Sequence, residues 1–432
     1  MISKILTVNH IKGNAMKLSK DTQKTQKPYS RRSFIAASAG IGSLSLSANL
    51  GLAETITSSM RPISVEELHG WGEVPGVADI GDNENPFGPS PRALRAINER
   101  IMDVNRYDFG SYRKLETAVG EHLNLAKEEV NFPPGRARFA ASGYPVYVEG
   151  GSSFILSQIA MIYGVKNGAG EIIEIDPGYA GVSRAAMSFR ARFGTEIEIK
   201  NVPATTELKH DLGAMLKAIS DKTTLIVITN PNNPTGTILP YDEIRRFVDA
   251  VPENIMVLID EAYIHFVREE NYQTAVKLSQ EYKNVIVTRT FSKMYGMAGL
   301  RVGYAVGHKS IMSELRAAGN SGGIGSINCY AAIAALKDTA FVRHVKRLTN
   351  ASKDYFYQEL ENLGLSYVPS HSSFVMVNVN QNGQALRQKL LARNIKVRTY
   401  GSSIIKNYIR FSIGTLDEMQ ATVGVLTEEI KG

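Results

Sequence analysis

Thr290 to Tyr304 reads T-F-S-K-M-Y-G-M-A-G-L-R-V-G-Y. It follows Val285-Ile286-Val287, an apolar run that predicts a buried strand. Lys293 falls just past the end of that strand, among small and glycine residues, with Arg301 downstream. A lysine so placed is desolvated and close to any ligand at the strand end, which suits an amine that forms a Schiff base. A lone loop lysine is usually no more than a solvated charge. The hydroxyls of Thr290 and Ser292 and the guanidinium of Arg301 set this one apart, because they can hold a phosphate beside the amine.

Outward from this stretch the chain alternates short apolar runs with helical segments. The runs are Val146-Tyr147-Val148, Glu171 to Ile175, Glu196 to Ile199, Leu225 to Thr229, Met256 to Ile259, Val285 to Thr288 and Val302 to Val306. Seven strands, most of them separated by helices, predict an α/β domain with a largely parallel sheet. Ligands of such sheets bind beyond the carboxyl ends of the strands, so the residues just after each run are the candidates.

Those residues are distinctive. Glu149-Gly150-Gly151-Ser152-Ser153 precedes a helical run from Phe154 to Tyr163 and has the form of a phosphate cradle, although Gly-Ser is also a common helix cap. Asp176-Pro177-Gly178-Tyr179 puts a tyrosine on a tight turn, where it can pack in a core or stack on a flat ring. Asn230-Pro231-Asn232-Asn233-Pro234-Thr235-Gly236 is a rigid polar loop that offers the amide of Asn233. Asp260-Glu261-Ala262-Tyr263 follows Val257-Leu258-Ile259, so Asp260 is expected to be partly buried and to need a cationic partner. Upstream, Asp79 to Pro91 (D-I-G-D-N-E-N-P-F-G-P-S-P) is a turn-rich stretch read as a lid, followed by helices from Arg92 to Ile101 and from Tyr112 to Leu123.

Residues 328–432 have a different organisation. Helices are predicted over Asn328 to Asp338, Ala340 to Leu363 and Ala385 to Arg393. Tyr367 through Val377 reads as one strand, and Ile395 to Arg398 and Tyr408 to Ser412 as two more. This is a smaller α+β unit, against which residues 54–105 are expected to pack, leaving 106–327 as the large domain.

The chain has 432 residues, 43% of them hydrophobic, enough for a large core and two to three domains. Its formal charge is +7. Residues 1–53 hold Lys4, Lys12, Lys17, Lys20, Lys24, Lys27, Arg31 and Arg32 against Asp21 alone, which is also +7. The body is therefore close to neutral, and no nucleic-acid surface is implied. Ser30-Arg31-Arg32-Ser33-Phe34-Ile35 opens a mildly apolar run to Leu52, with small residues at Gly51-Leu52-Ala53. This plan resembles a twin-arginine export signal. It predicts a periplasmic or secreted protein, the alternative being a cytoplasmic one, with Met16 as a second candidate start. Ser, Gly and Asn interrupt the run too often for a stable membrane span. The single cysteine, Cys329, excludes an intramolecular disulfide and a cysteine-based zinc cluster, and no metal is expected.

Taken together, N-E-N-P-F-G-P-S-P, N-P-N-N-P-T-G, D-E-A-Y and T-F-S-K-M-Y-G-M-A-G-L-R-V-G-Y resemble the pyridoxal-phosphate enzymes of the aspartate aminotransferase fold (fold type I). The nearest resemblance is to the histidinol-phosphate aminotransferases, and it covers nearly all of residues 79–420. It implies that Lys293 bonds pyridoxal 5'-phosphate and shuttles protons, and that Asp260 pairs with the pyridinium nitrogen. It implies that Asn233 and Tyr263 bond the phenolic oxygen and that Tyr179 stacks on the ring. Ser152, Ser153, Ser292 and Arg301 would hold the phosphate, with Thr290 as a further donor. Tyr107 would reach the phosphate of a neighbouring subunit, which implies a homodimer. Arg410, in Y-I-R-F-S-I-G-T, would take the substrate carboxylate, with Arg398 and Asn85 as further substrate contacts.

Three positions depart from that family's pattern. Its tyrosine after N-E-N-P is Phe87 here, its asparagine before the phenylalanine of the late strand is Ser373, and its proline after Arg-Tyr is Asp108. The expectation is an aminotransferase acting on an amino acid and a 2-oxo acid. The alternatives are a decarboxylase or lyase with the same cofactor, histidinol-phosphate amino transfer, and an exported non-catalytic binding protein. A nicotinamide enzyme is excluded, since no strand leads into G-x-G-x-x-G with a following acidic residue.

Overall fold

The structure is a computed structural model and describes residues 77–128, 142–165, 168–319 and 323–431. The chain divides into two units, Met1–Ser58 and Ser59–Gly432, and every described residue belongs to the second. The proposed export signal and its cleavage region lie outside the described residues. No helix among the described residues is long and apolar enough to cross a membrane.

Twelve strands run in chain order: β1 (Ala78–Asp79), β2 (Val146–Glu149), β3 (Ala169–Asp176), β4 (Glu196–Pro203), β5 (Thr223–Thr229), β6 (Met256–Asp260), β7 (Val285–Thr290), β8 (Gly303–Gly307), β9 (Ser366–Val368), β10 (Phe374–Asn378), β11 (Ile395–Lys396) and β12 (Tyr408–Ser412). Seven form the main sheet, in the order β2-β8-β7-β6-β5-β3-β4. Its central strands are apolar throughout because both faces are covered. Along β5, Ile226 and Ile228 enter one core while Leu225 and Val227 enter another. Along β6, Val257 and Ile259 divide from Met256 and Leu258 in the same way.

All pairings in this sheet are parallel except those of β8, which runs antiparallel to β2 and β7. The cause lies in the connection. A parallel return needs a crossover helix, whereas the chain from β7 to β8 makes only a short 3-10 turn at Ala298–Leu300. That connection carries Ser292, Lys293 and Arg301. Because the other six strands point the same way, the residues after β2, β3, β5, β6 and β7 meet at one edge.

A second core gathers Ala78, Ile80, Phe356, Leu360, Val375, Val377, Ile409 and Phe411. It covers a three-stranded antiparallel sheet, β12-β10-β9, and a parallel pair, β1 with β11. The single strand expected from Tyr367 through Val377 is two antiparallel strands, β9 and β10. Pro369 cannot donate to a ladder, and Ser370, Ser372 and Ser373 are turn formers. The turn is held from below by Lys353, a fully buried ammonium that donates to the carbonyls of Ser370 (3.0 Å) and Ser372. The strand expected at Ile395–Arg398 is shorter, ending at Lys396, with a lone bridge from Arg398 to Arg410. Two helices read with the smaller unit belong to the larger core. Pro91–Arg100 contributes Ala93, and Ser326–Leu336 contributes Cys329, Ala331, Ala332 and Ala335.

Candidate active site

A cavity of about 540 Å³ opens at the shared strand edge and is bounded on its far side by Arg398, Tyr400, Ser402 and Arg410. Twelve of the fourteen residues singled out from the sequence line it: Ser152, Ser153, Tyr179, Asn233, Asp260, Tyr263, Thr290, Ser292, Lys293, Arg301, Arg398 and Arg410.

Lys293 is held by the turn after β7, anchored by the fully buried ring of Phe291. Its Nζ donates to the carbonyl of Asp82 at 2.9 Å. Burial, with Arg410 adding repulsion, pushes its ammonium down to about 8. The amine is thus partly neutral near neutral pH, as a nucleophile or proton acceptor requires.

Asp260 ends β6 at 3% exposure. Thr288 Oγ1 donates to it at 3.0 Å, and the backbone N–H of Ala262 donates as well. Burial nevertheless raises its carboxyl to about 6, and among the described residues it has no ion pair. Across the cavity stands the reverse case. Arg410, 4% exposed, donates from Nη1 to Asn233 Oδ1 at 2.8 Å and from Nη2 to the carbonyl of Gly81, while its Nε is buried without a partner. It faces the rings of Phe374 and Tyr400, 5.2 and 5.5 Å from their centroids. Among the described residues it has no carboxylate in ion-pair reach either. A buried carboxylate without a cation and a buried guanidinium without an anion are both costly, and each is relieved by a ligand bearing the missing charge.

Between them, Asn233 Oδ1 is occupied by Arg410 and, at 3.3 Å, by Tyr400, so its donating amide end is the one open to a ligand. Tyr263 accepts from Asn83 Nδ2 at 2.9 Å and keeps its own phenolic proton for a further acceptor. Its ring meets Phe374 edge-on at 5.0 Å. Tyr179 lies at the rim, with Arg184 5.4 Å from its ring centroid.

The anion cradle is built where the helix Ser152–Ile162 begins. Ser152 and Ser153, its first two residues, line the cavity with Thr290, Ser292 and Arg301, and a helix N-terminus flanked by hydroxyls and a guanidinium suits an anion. Thr290 Oγ1 donates to Ser292 Oγ at 3.0 Å, and Arg301 Nη1 lies 3.5 Å from the same oxygen. Gly151 has φ +95°, and a Cβ there would meet Arg301 Nη2 at 2.6 Å. A Cβ at Gly303 would strike the backbone N of Ser152 at 2.3 Å. Gly151→Ala is therefore expected to add about 1–3 kcal/mol of backbone strain and to displace Arg301. Affinity for a phosphate ligand should fall by about 5- to 100-fold, read by titration with pyridoxal phosphate.

Cradle, Tyr179, Asn233, Tyr263 and Asp260 together fit a flat, phosphorylated pyridine whose ring nitrogen is protonated, because that nitrogen supplies the cation Asp260 lacks. In the cofactor-free protein Asp260 has a measurable signature. Its carboxyl is normally near 3.8 and sits at about 6 in the fold, so between those values the folded chain binds more protons than the unfolded one. Stability should fall as pH rises through that window, by up to about 3 kcal/mol. Asp260→Asn should remove that loss. Its gain in thermal stability over wild type should be small near the low end and largest above about pH 6. An equal gain at every pH would contradict this.

Two expected residues lie elsewhere. Asn85 donates to the carbonyl of Met294 at 2.9 Å and accepts from the N–H of Phe87 at 3.0 Å, so it braces the loop and lines a neighbouring cavity of about 350 Å³. Tyr107 is 90% exposed and stacked on Phe109 at 5.4 Å. Conversely, Asn83 belongs to the site although the sequence does not mark it out individually. It takes a left-handed conformation (φ +55°), exchanges hydrogen bonds with Ser412 and holds Tyr263. The signal was present in N-E-N-P, whose first asparagine holds a site residue while the second braces the loop. Asp82, Arg184, Tyr400 and Ser402 also line the cavity and had no sequence signal of their own.

The fold and the lysine-centred cavity define an α/β enzyme of the type I pyridoxal-phosphate-dependent transferase fold. Residues 75–426 match the family model for aminotransferase class I and II. The chain belongs to that family and is an aminotransferase. It is 33% identical over 365 residues to the histidinol-phosphate aminotransferase of Moorella thermoacetica, covering 84% of this chain and 88% of that one. It is 34% identical over 353 residues to histidinol-phosphate aminotransferase 2 of Hydrogenovibrio crunogenus, covering 82% and 88%. Among solved structures, the histidinol-phosphate aminotransferase of Sinorhizobium meliloti in complex with pyridoxal-5'-phosphate superposes with a TM-score of 0.73 at 26% identity, covering 87% of this chain and 96% of that one.

Proposed function

We propose that this aminotransferase binds pyridoxal 5'-phosphate on Lys293 and moves an amino group from an α-amino acid to a 2-oxo acid. The observation that carries this is the arrangement of two uncompensated buried charges, Asp260 and Arg410, around the softened amine of Lys293. When bound, the cofactor supplies an aldehyde for the substrate amine and a ring that withdraws electrons. Asp260 would keep the ring nitrogen protonated. Asn233 and Tyr263 would donate to the phenolic oxygen, Tyr179 would pack on the ring, and Ser152, Ser153, Thr290, Ser292 and Arg301 would hold the phosphate. Arg410 takes the α-carboxylate through its fork of N–H groups, which fixes the substrate's α-carbon near Lys293. Lys293 then removes and returns the proton at that carbon.

The test is incubation of the cofactor-loaded protein with nitrogen-labelled amino acids and a 2-oxo acid. Label appearing in the acceptor supports amino transfer. Release of carbon dioxide without label transfer would point instead to a decarboxylase on this scaffold, and elimination products to a lyase. A second reading, histidinol phosphate as donor, is favoured by the likeness to the Moorella and Hydrogenovibrio enzymes. Against it, Phe87 lacks the hydroxyl that helps that family hold a substrate phosphate. Label transfer from histidinol phosphate, and from no ordinary amino acid, would decide for it.

The Ser30-Arg31-Arg32 sequence supports export to the periplasm or beyond, testable by fractionation with and without an Arg31→Lys, Arg32→Lys change. The exposed stretch of Ile101, Met102, Val104 and Tyr107 supports a homodimer in which Tyr107 reaches the partner's phosphate site. Sedimentation should give twice the chain mass.

A further inference from the structure

The substrate end of the cavity carries two arginines side by side. Arg398 and Arg410 face each other across an antiparallel bridge, with Arg398 N–H donating to Arg410 O at 3.2 Å and Arg410 N–H to Arg398 O at 2.8 Å. Opposed residues put their side chains on the same face, and both side chains line the cavity. Two adjacent guanidiniums suit a ligand with two anionic groups, such as a dicarboxylate or a phosphorylated carboxylate.

The two are not equivalent in this chain. Arg410 is buried with no carboxylate in ion-pair reach among the described residues, whereas Arg398 is half-exposed and its Nη2 donates to Asp82 Oδ1. Asp82 Oδ2 also lies 3.7 Å from Lys396 Nζ. Partial burial pushes the Asp82 carboxyl up, but Arg398, with Lys396 and Arg410, outweighs this and holds it below the usual carboxylate range. Glu84 and Asp176 line the same cavity, and Ser402 Oγ donates to Asp176 Oδ2 at 3.0 Å. The charge of the second arginine is thus answered from within the chain. An exposed pair of this kind adds little to stability, but its negative charge stays in place whether or not the pair is closed.

We propose that Asp82 sets the substrate class: by occupying Arg398 it leaves Arg410 as the anion site of that arginine pair and restricts the enzyme to amino acids with one carboxylate and an uncharged side chain. A second anionic group entering beside Arg398 meets the Asp82 carboxylate. This rests on Arg410 as the α-carboxylate site in the aminotransferase reading. The experiment compares binding of maleate and of 3-phenylpropionate to the cofactor-loaded full chain by calorimetry, for wild type, Asp82→Asn and the double variant Asp82→Asn, Arg398→Gln. Kinetics with aspartate and phenylalanine run in parallel. Wild type should bind the monocarboxylate at least about tenfold more tightly. Asp82→Asn, which keeps the side chain's shape, should shift that ratio about tenfold toward maleate and shift kcat/KM toward aspartate by a similar factor. The double variant should lose the shift. An unchanged ratio in Asp82→Asn, or a wild type that prefers maleate, overturns the proposal while leaving the aminotransferase reading intact. Failure of the wild type to bind either anion overturns the Arg410 carboxylate site and this proposal with it.

Discussion

Lys293→Ala is expected to abolish amino transfer, with a loss in kcat/KM on the order of ten-thousand-fold or more. Among the described residues Lys293 is the only amine lining the cavity, so no described neighbour can replace it either as the group bonding the cofactor or as the base. The variant should still fold. In the native chain the ammonium sits at about 8, below its ordinary 10.5, so the unfolded chain binds more protons between those values. The buried amine thus costs stability at neutral pH, a cost that lessens as pH rises through that window. The cofactor-free Lys293→Ala protein should therefore melt no lower than wild type at pH 7. It should also still take up pyridoxal phosphate through the Ser152, Ser292 and Arg301 cradle, but without the visible absorbance of a cofactor bonded to lysine. Bound cofactor with retained activity would remove Lys293 from its role.

Asp260→Asn has the second-largest expected effect. Asparagine keeps the shape of the side chain and can still accept from Thr288 Oγ1, but it cannot stabilise a protonated ring nitrogen. Breaking a buried ion pair from one side costs about 3–5 kcal/mol, which is about two to four orders of magnitude in rate. Cofactor affinity should fall less than the rate, because the phosphate cradle is untouched. The contrast with the cofactor-free protein is informative. There the same substitution removes an uncompensated carboxylate and is stabilising above about pH 6. A variant that is destabilising in both states, or harmless to the rate, would show that Asp260 does not face a cationic ring.

Much of this site was legible from local sequence because the sheet does the assembling. Six co-directed strands carry their following loops to one edge, so Ser152, Tyr179, Asn233, Asp260 and Lys293 could each be picked out as residues just past an apolar run. What was not legible depends on contacts between distant parts of the chain. Asp82 meets Arg398 across 316 positions, and Asn83 meets Tyr263 across 180. The first of these follows from the pairing of the two-residue strands β1 and β11, too short to carry an alternating pattern. In N-E-N-P two asparagines share one composition and have different jobs, and only the fold distinguishes Asn83 from Asn85. The merged strand at Tyr367–Val377 failed for a local reason. An apolar run on each side of Pro369 and three serines reads as continuous until the antiparallel register of Met376 with Val368 is seen.

In the proposed function the lysine, the ring partner and the carboxylate site act together to move an amino group. The most direct measurement is the absorbance spectrum of the pyridoxal-phosphate-loaded protein during two successive additions, first an amino acid and then a 2-oxo acid. A single-carboxylate amino acid such as phenylalanine should discharge the visible band, a 2-oxo acid should restore it, and Arg410→Gln should greatly weaken both steps. A band that the amino acid removes and no 2-oxo acid restores, or one that no amino acid alters, would contradict amino transfer at this site.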